Sequence, residues 1–197
     1  MKKIKPETKR RIFHIVNGII FTSLIYFGIL TPLILIIILV LGGMACLLSL
    51  RYKIPVIDFL LKNFERPEDM KIFPGKGSFY FVLGILLVLV FFEKDIAMAS
   101  IMIMALGDSI APLVGQYYGK IKHPLSDKKF LEGTLAGGIA AFLGAVIFVA
   151  PVEAAFASIA AMIAEGINMK FSGISVNDNI SMPVAAGIVI WLLRLIL

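Results

Sequence analysis

The feature that most limits this chain is a succession of apolar runs, each near the length of a membrane-crossing helix. A bilayer core takes about 20 mostly apolar residues per helix. On that measure the sequence holds seven runs, at about 12–30, 32–50, 78–92, 96–117, 133–150, 152–167 and 182–197. The first two are parted only by Thr31 and Pro32, which reads as a tight turn. Composition agrees: 59% of the 197 residues are hydrophobic and 16% charged, where a soluble domain carries roughly 25% charged. The expected fold is an all-α polytopic membrane bundle of about seven transmembrane helices, forming one integral-membrane domain over residues 1–197.

The charges orient this bundle. All of the 19 lysines and arginines except Lys94 and Arg194 precede the first run or fall in alternate connections. The positive-inside rule places those segments, and with them the N-terminus, in the cytoplasm. The net charge of +6 is thus an orientation signal that can also meet lipid headgroups or phosphates, and it does not point to nucleic acid. Cys46 is the only cysteine, which excludes internal disulfides and cysteine-based zinc sites. The start, "MKKIKPETKRR" before an apolar run, is read as an uncleaved first helix because no small-residue cleavage site follows. With no targeting extension visible, a prokaryotic cell membrane is the expected location. In the long connection 51–77, Ile54, Ile57, Leu60, Leu61 and Phe64 recur at helical spacing. That predicts a short amphipathic helix on the inner interface between spans two and three, either as a surface anchor or as a lid over the route taken by a lipid.

Two stripes of small residues locate the packed centre. Gly107, Ala111, Gly115 and Gly119 are four apart in the fourth run, and Gly133, Gly137, Ala141 and Ala145 in the fifth. Such stripes let membrane helices approach backbone to backbone, so both face protein. Asp108 lies on the same side. A carboxylate there is costly, and three readings fit it: a structural aspartate bonded between helices, an ion or proton path, or a metal ligand. Its company favours the third. His14, Lys128, Lys129, Glu132, Glu165, Asp178 and Asn179 all fall at or near the cytoplasmic ends of their runs. Carboxylates beside lysines suit Mg²⁺ and a polyphosphate, since Mg²⁺ takes one or two carboxylates plus phosphate oxygens and lysines offset charge on a transferring phosphoryl group. Familiar nucleotide motifs are missing. "PGKGS" at 74–78 fails as a phosphate loop, with Met70 and Gly77 at positions that need Gly and Ser or Thr.

At these residues the chain resembles the CTP-dependent lipid-alcohol kinases: dolichol kinase, phytol kinase and the CTP-using diacylglycerol kinase, themselves related to the phosphatidate cytidylyltransferases. "RRIFHIVNG" at 10–18 is similar to the family's basic-x-x-His opening, and "GKGSFYFVLG" at 75–84 to the start of a middle span. "ALGDSIAPLVGQYYGK" at 105–120 and "KKFLEGTLAG" at 128–137 carry the most specific likeness. "AEGINMKFSGISVNDNISMP" at 164–183 resembles the closing acid followed by D-N-x-x-x-P. Phe130 departs from the pattern, standing where the family has Ser or Thr.

The resemblance implies transfer of the γ-phosphoryl group of CTP to the hydroxyl of a membrane lipid alcohol, with Mg²⁺ and a cytoplasmic active site. Asp108, Asp178 and Glu132 would be metal ligands. Lys128, Lys129, Glu132, Gly133, Thr134 and Asn179 would hold the nucleotide, and His14 and Glu165 are candidates for the base. The alcohol's tail would arrive laterally from the bilayer. Two rivals differ in kind: a cytidylyltransferase making a CDP-lipid, and an ion- or proton-coupled transporter built on Asp108 and Glu165. The polar residues gather at one end and no internal repeat is evident, which counts against the transporter.

Overall fold

A computed structural model describes residues 6–52, 54–65, 69–71, 73–124, 126–167, 170–171 and 174–196. Among them the chain is all-helical apart from two short hairpins. Its helices are α1 (Pro6–Tyr26), α2 (Pro32–Leu48), α3 (Pro55–Phe64), α4 (Lys76–Phe91), α5 (Lys94–Tyr118), α6 (Leu131–Ala145), α7 (Pro151–Ile167) and α8 (Asp178–Ile196). The seven apolar runs are helices, and the amphipathic segment is α3. The hairpins, β1 (Lys122–His123) with β2 (Ser126–Phe130) and β3 (Lys170–Phe171) with β4 (Ile174–Ser175), are antiparallel and lie in connections read as loops from sequence. Among the described residues, α5 and α8 are long and apolar enough to cross a membrane, while α2, α4 and α6 are shorter apolar helices. α6 stops at Ala145, capped at Val146, which is why it is shorter than the run 133–150.

Local chemistry sets the helix ends. Thr31 caps α2, its hydroxyl accepting from the Ile34 amide at 3.4 Å, with Pro32 at the first turn where its missing N–H costs nothing. Gly75 caps α4 at φ 78°, a left-handed conformation that glycine adopts without strain, and a side-chain carbon there would lie 2.6 Å from Cys46 Sγ. That residue therefore sets how closely the start of α4 rests on α2.

The centre of the molecule is α5. Residues Ile96 to Ala105 are all buried, with Ile101, Ile103 and Met104 fully enclosed. α6 crosses α5 along the two small-residue stripes, as the spacing predicts. A Cβ on Gly133 would sit 2.4 Å from the Ala111 carbonyl, and one on Gly137 2.9 Å from the Gly107 carbonyl. This close backbone contact is what holds α6 on α5. Replacing Gly133 by any larger residue would force the helices apart. α2 is peripheral by contrast: it rests on α4, and Leu35 is its buried residue.

α3 lies against α1, where Phe64 stacks on Phe13 with ring centroids 4.2 Å apart. Of its expected apolar face, Leu61 is buried and Ile57 and Phe64 are half-buried, while Leu60 stays exposed. α3 is therefore folded back onto α1, with its last residue, Phe64, beside the cavity described next.

Candidate active site

Asp108 stands on the packed face of α5, and what surrounds it follows from two local sequences. The first is Arg11-x-x-His14 on α1, whose spacing puts both side chains on one helix face. The Arg11 guanidinium donates to Asp108 Oδ2 at 2.6 Å, and His14 Nε2 lies 3.8 Å from the same oxygen. The second is Pro112, four residues beyond Asp108 inside the helix. Proline has no N–H to give, so the Asp108 carbonyl lacks its usual helical partner. Arg11 fills that gap too, donating to the carbonyl oxygen at 2.6 Å. One arginine thus ties α1 to both oxygens of a proline-opened turn.

The same device recurs on α8. Pro183 lies four residues after Asn179 and frees the Asn179 carbonyl. There α4 comes so close that a Cβ on Gly84 would be 2.0 Å from that oxygen. The Asn179 side chain donates to the Gly77 carbonyl at 3.2 Å, and its own Oδ1 is buried without a partner.

Lys129, at the end of β2, reaches across to α7 and α8. Its ammonium lies 2.7 Å from Glu165 Oε1 and 3.8 Å from Asp178 Oδ2, and it also donates to the Glu165 main-chain carbonyl. Glu165 is 3% exposed, and its Oε2 is buried with no hydrogen-bond partner. A buried acceptor left open costs about 1–3 kcal/mol, a cost that an ion or a water at Oε2 would offset.

Three carboxylates therefore converge from three helices. One oxygen each of Asp108, Glu165 and Asp178 lie within 4.8 Å of one another. Around a Mg²⁺ ion with bonds of about 2.0–2.1 Å, ligand oxygens are at most roughly 4.2 Å apart. Small rotations would bring these three onto one ion, so the donor set fits a hard divalent cation, and Glu165 Oε2 is an acceptor still free to take part. Beside the cluster opens a cavity of about 630 Å³, lined by His14, Asp108, Asp178 and Asn179 and by the cations Arg10, Arg11 and Lys76. Its far wall includes Phe64 and Glu65 from the end of α3.

The structure divides the residues singled out from sequence into two groups. Asp108, His14, Glu165, Lys129, Asp178 and Asn179 come together. Glu132 does not join the three carboxylates. It accepts from the Lys120 and Ile121 amides at 3.1 Å each and so fastens the turn after α5 to the start of α6. Its own amide, followed by those two, holds its carboxyl below the usual range. Gly133 serves the helix crossing, and the Thr134 hydroxyl donates to the Phe130 carbonyl at 3.3 Å. Lys128, as a side chain, lies outside the described residues. Arg11 was given no site role from the sequence, although it is the basic residue of the basic-x-x-His opening. The signal was its position three residues before His14.

Comparison with known proteins finds relatives at modest identity. Over 186 residues, 93% of the chain, it is 28% identical to an uncharacterised protein of Methanocaldococcus jannaschii, covering 92% of that protein. It is 27% identical to a probable chloroplastic phytol kinase of Zea mays over 96% of the chain and 68% of that protein. A stretch of 72 residues, 36% of the chain, is 31% identical to the CTP-dependent diacylglycerol kinase 1 of Eremothecium gossypii. The chain is related to the CTP-dependent lipid kinases. No protein-family model matches it, and no solved structure does. The likeness to the maize protein runs through nearly all of the chain, so it is a likeness of the whole bundle and not of one helix. The family's longer plant members extend beyond it, since the chain spans about two thirds of the maize protein.

Proposed function

We propose that this protein is a CTP-dependent kinase that moves the γ-phosphoryl group of CTP to the hydroxyl of a membrane lipid alcohol. The observation that carries the reading is the convergence of Asp108, Glu165 and Asp178, two of which, Asp108 and Asp178, line a polar cavity together with Arg10, Arg11 and Lys76. The names of the relatives support the donor and the class of acceptor. In the step, an oxygen–phosphorus bond forms from the alcohol to the γ-phosphorus. The bond from that phosphorus to the β-phosphate oxygen breaks, and CDP leaves.

Mg²⁺, held by Asp108, Asp178 and Glu165, would offset charge on the phosphates. The remaining work is positioning and electrostatics, which account for most of phosphoryl-transfer catalysis. Arg11 sets the rotamer of Asp108 and holds α1 against α5. Lys129 orients Glu165 and Asp178, and becomes a phosphate partner once they turn to the metal. Arg10 and Lys76 meet the nucleotide's outer charge. His14, buried with Nε2 unpartnered, is placed to accept the hydroxyl proton. The bundle is read as one integral-membrane domain with seven spans, its N-terminus and this site facing the cytoplasm. Glu132, Gly133 and Thr134 support the site through the turn and helix they hold.

The test is incubation of the detergent-solubilised protein with γ-labelled CTP, Mg²⁺ and a panel of lipid alcohols. Label is expected in the lipid, and absent with Asp108→Asn. Release of pyrophosphate with a lipid phosphate as acceptor would make the protein a cytidylyltransferase instead. Folded protein that yields neither product would return the acid cluster to transport or to structure.

A further inference from the structure

The polar cavity has an apolar neighbour. Between α2 and α4 runs a groove of about 110 Å³ walled by Ile38, Leu39, Gly42, Cys46, Phe79 and Val82. Val82 and Ser78 line both spaces. Each presents one edge to the cation-lined cavity and the other to the groove, so the two meet along α4. A chamber of opposite polarity on either side of one helix edge fits an amphiphile: a polar end beside Asp108 and a hydrocarbon end between α2 and α4.

The walls of the groove are made by what is missing from them. Gly42 and Gly43 face α4 where most of α2 carries large aliphatic side chains. A Cβ on Gly42 would meet nothing within 4 Å, and one on Gly43 would rest 3.6 Å from the Phe79 ring. These glycines are therefore not required for close helix packing, unlike Gly133 or Gly84. Their effect is to leave room. The groove ends inward at Gly75, whose left-handed turn draws the start of α4 onto Cys46, and opens outward along α2, whose Ile38 is 37% exposed. At 110 Å³ it takes a few carbons of a chain and leaves the remainder in the bilayer.

We infer that this groove is the tail site of the lipid alcohol, and that Gly42 sets which tails fit. The inference rests on the kinase reading for the identity of the head group, and on the groove alone for the tail. Because the tail is apolar in either place, the groove adds little by the hydrophobic effect. Its contribution is to hold the hydroxyl at a fixed depth beside His14 and Asp108, and misplacement of a reacting group is costly.

The experiment uses the full chain in lipid nanodiscs and a diterpenoid alcohol bearing a diazirine near the hydroxyl end of its tail. Irradiation followed by peptide mapping is expected to label 38–46 or 73–82. Gly42→Phe, whose Cβ meets nothing within 4 Å, should abolish that labelling, and Leu41→Phe on the outward face of α2 should not. In kinetics, Gly42→Phe should lower kcat/KM for the diterpenoid alcohol on the order of tenfold, with little change in the KM for CTP. Labelling elsewhere, or labelling indifferent to Gly42→Phe, overturns the tail site. So does a groove shielded from the probe in a chain shown to be dimeric, which would assign α2 to a second copy. Groove labelling in a protein that phosphorylates no alcohol would leave the tail site standing and remove the kinase. Phosphorylation without groove labelling would do the reverse.

Discussion

The same three helices carry an ionic cluster at each end, and the two clusters are built to opposite plans. Near one end, Asp95 of α5, Glu153 of α7 and Arg194 of α8 meet, with Glu93 alongside. The Arg194 guanidinium lies 2.6 Å from Asp95, 2.9 Å from Glu153 and 3.0 Å from Glu93. Asp95 also accepts from the Ile96 amide, and Glu153 from the Ala150 amide. Roughly 20 Å along the bundle, at 1.5 Å per residue, the same helices present Asp108, Glu165 and Asp178. There the cations come from outside the trio, Arg11 from α1 and Lys129 from β2, and Glu165 Oε2, Asn179 Oδ1 and His14 Nε2 are buried without partners. The first cluster is closed on itself and has the character of a clasp. The second is incompletely satisfied beside a cavity, which is how a site that receives a charged ligand is built.

The comparison breaks most sharply by substitution at each end. Asp108→Asn should reduce phosphoryl transfer on the order of 10²–10³-fold while the protein still folds, read by label transfer and by size-exclusion profile. Arg194→Met should do the opposite. It strands the buried Glu153 and lowers stability by about 3 kcal/mol, the lower end for a broken buried pair because Arg194 is itself partly exposed. Activity per folded molecule should hold, and a thermal melt in detergent separates the two effects. Equal loss of activity in both variants would mean that the ends do not differ in kind.

Gly84→Ala sits between these cases. Its Cβ would strike the Asn179 carbonyl, so α8 must shift, with an overpacking cost of about 1–3 kcal/mol and a drop in activity as Asn179 and Asp178 move with it. A lowered melting temperature with unaltered kcat would show that this crossing does not set the site. Glu132→Gln should be mildest. An amide oxygen can still accept from the Lys120 and Ile121 amides, so kcat should fall far less than in Asp108→Asn. A loss as large as that of Asp108→Asn would restore Glu132 to the metal ligands, where the sequence had suggested it.

Periodic features were legible before any coordinates. The apolar runs became helices, and the stripes at Gly107, Ala111 and Gly133, Gly137 became the α5–α6 crossing, because both depend on spacing within one helix. The polar partners were less so. Arg11 and Asp108 are far apart in the chain, and nothing in the composition of α1 distinguishes a charge that orients the protein from one that binds a carboxylate. Glu132 shows a related ambiguity. A carboxylate near a helix start can serve a ligand or the chain's own amides, and only the turn at 119–121 decides between them. Pro112 and Pro183 could have been read further, since each opens a carbonyl four residues back, at Asp108 and at Asn179. That pairing of a polar residue with a proline one turn on is visible in the sequence alone.

The most direct measurement is Mn²⁺ binding by the protein, followed by loss of the free ion's electron paramagnetic resonance signal. The account predicts one ion bound per chain in the wild type and in Arg194→Met, and none in Asp108→Asn. Unchanged binding in Asp108→Asn would contradict the assignment of the three-carboxylate cluster as the catalytic metal site.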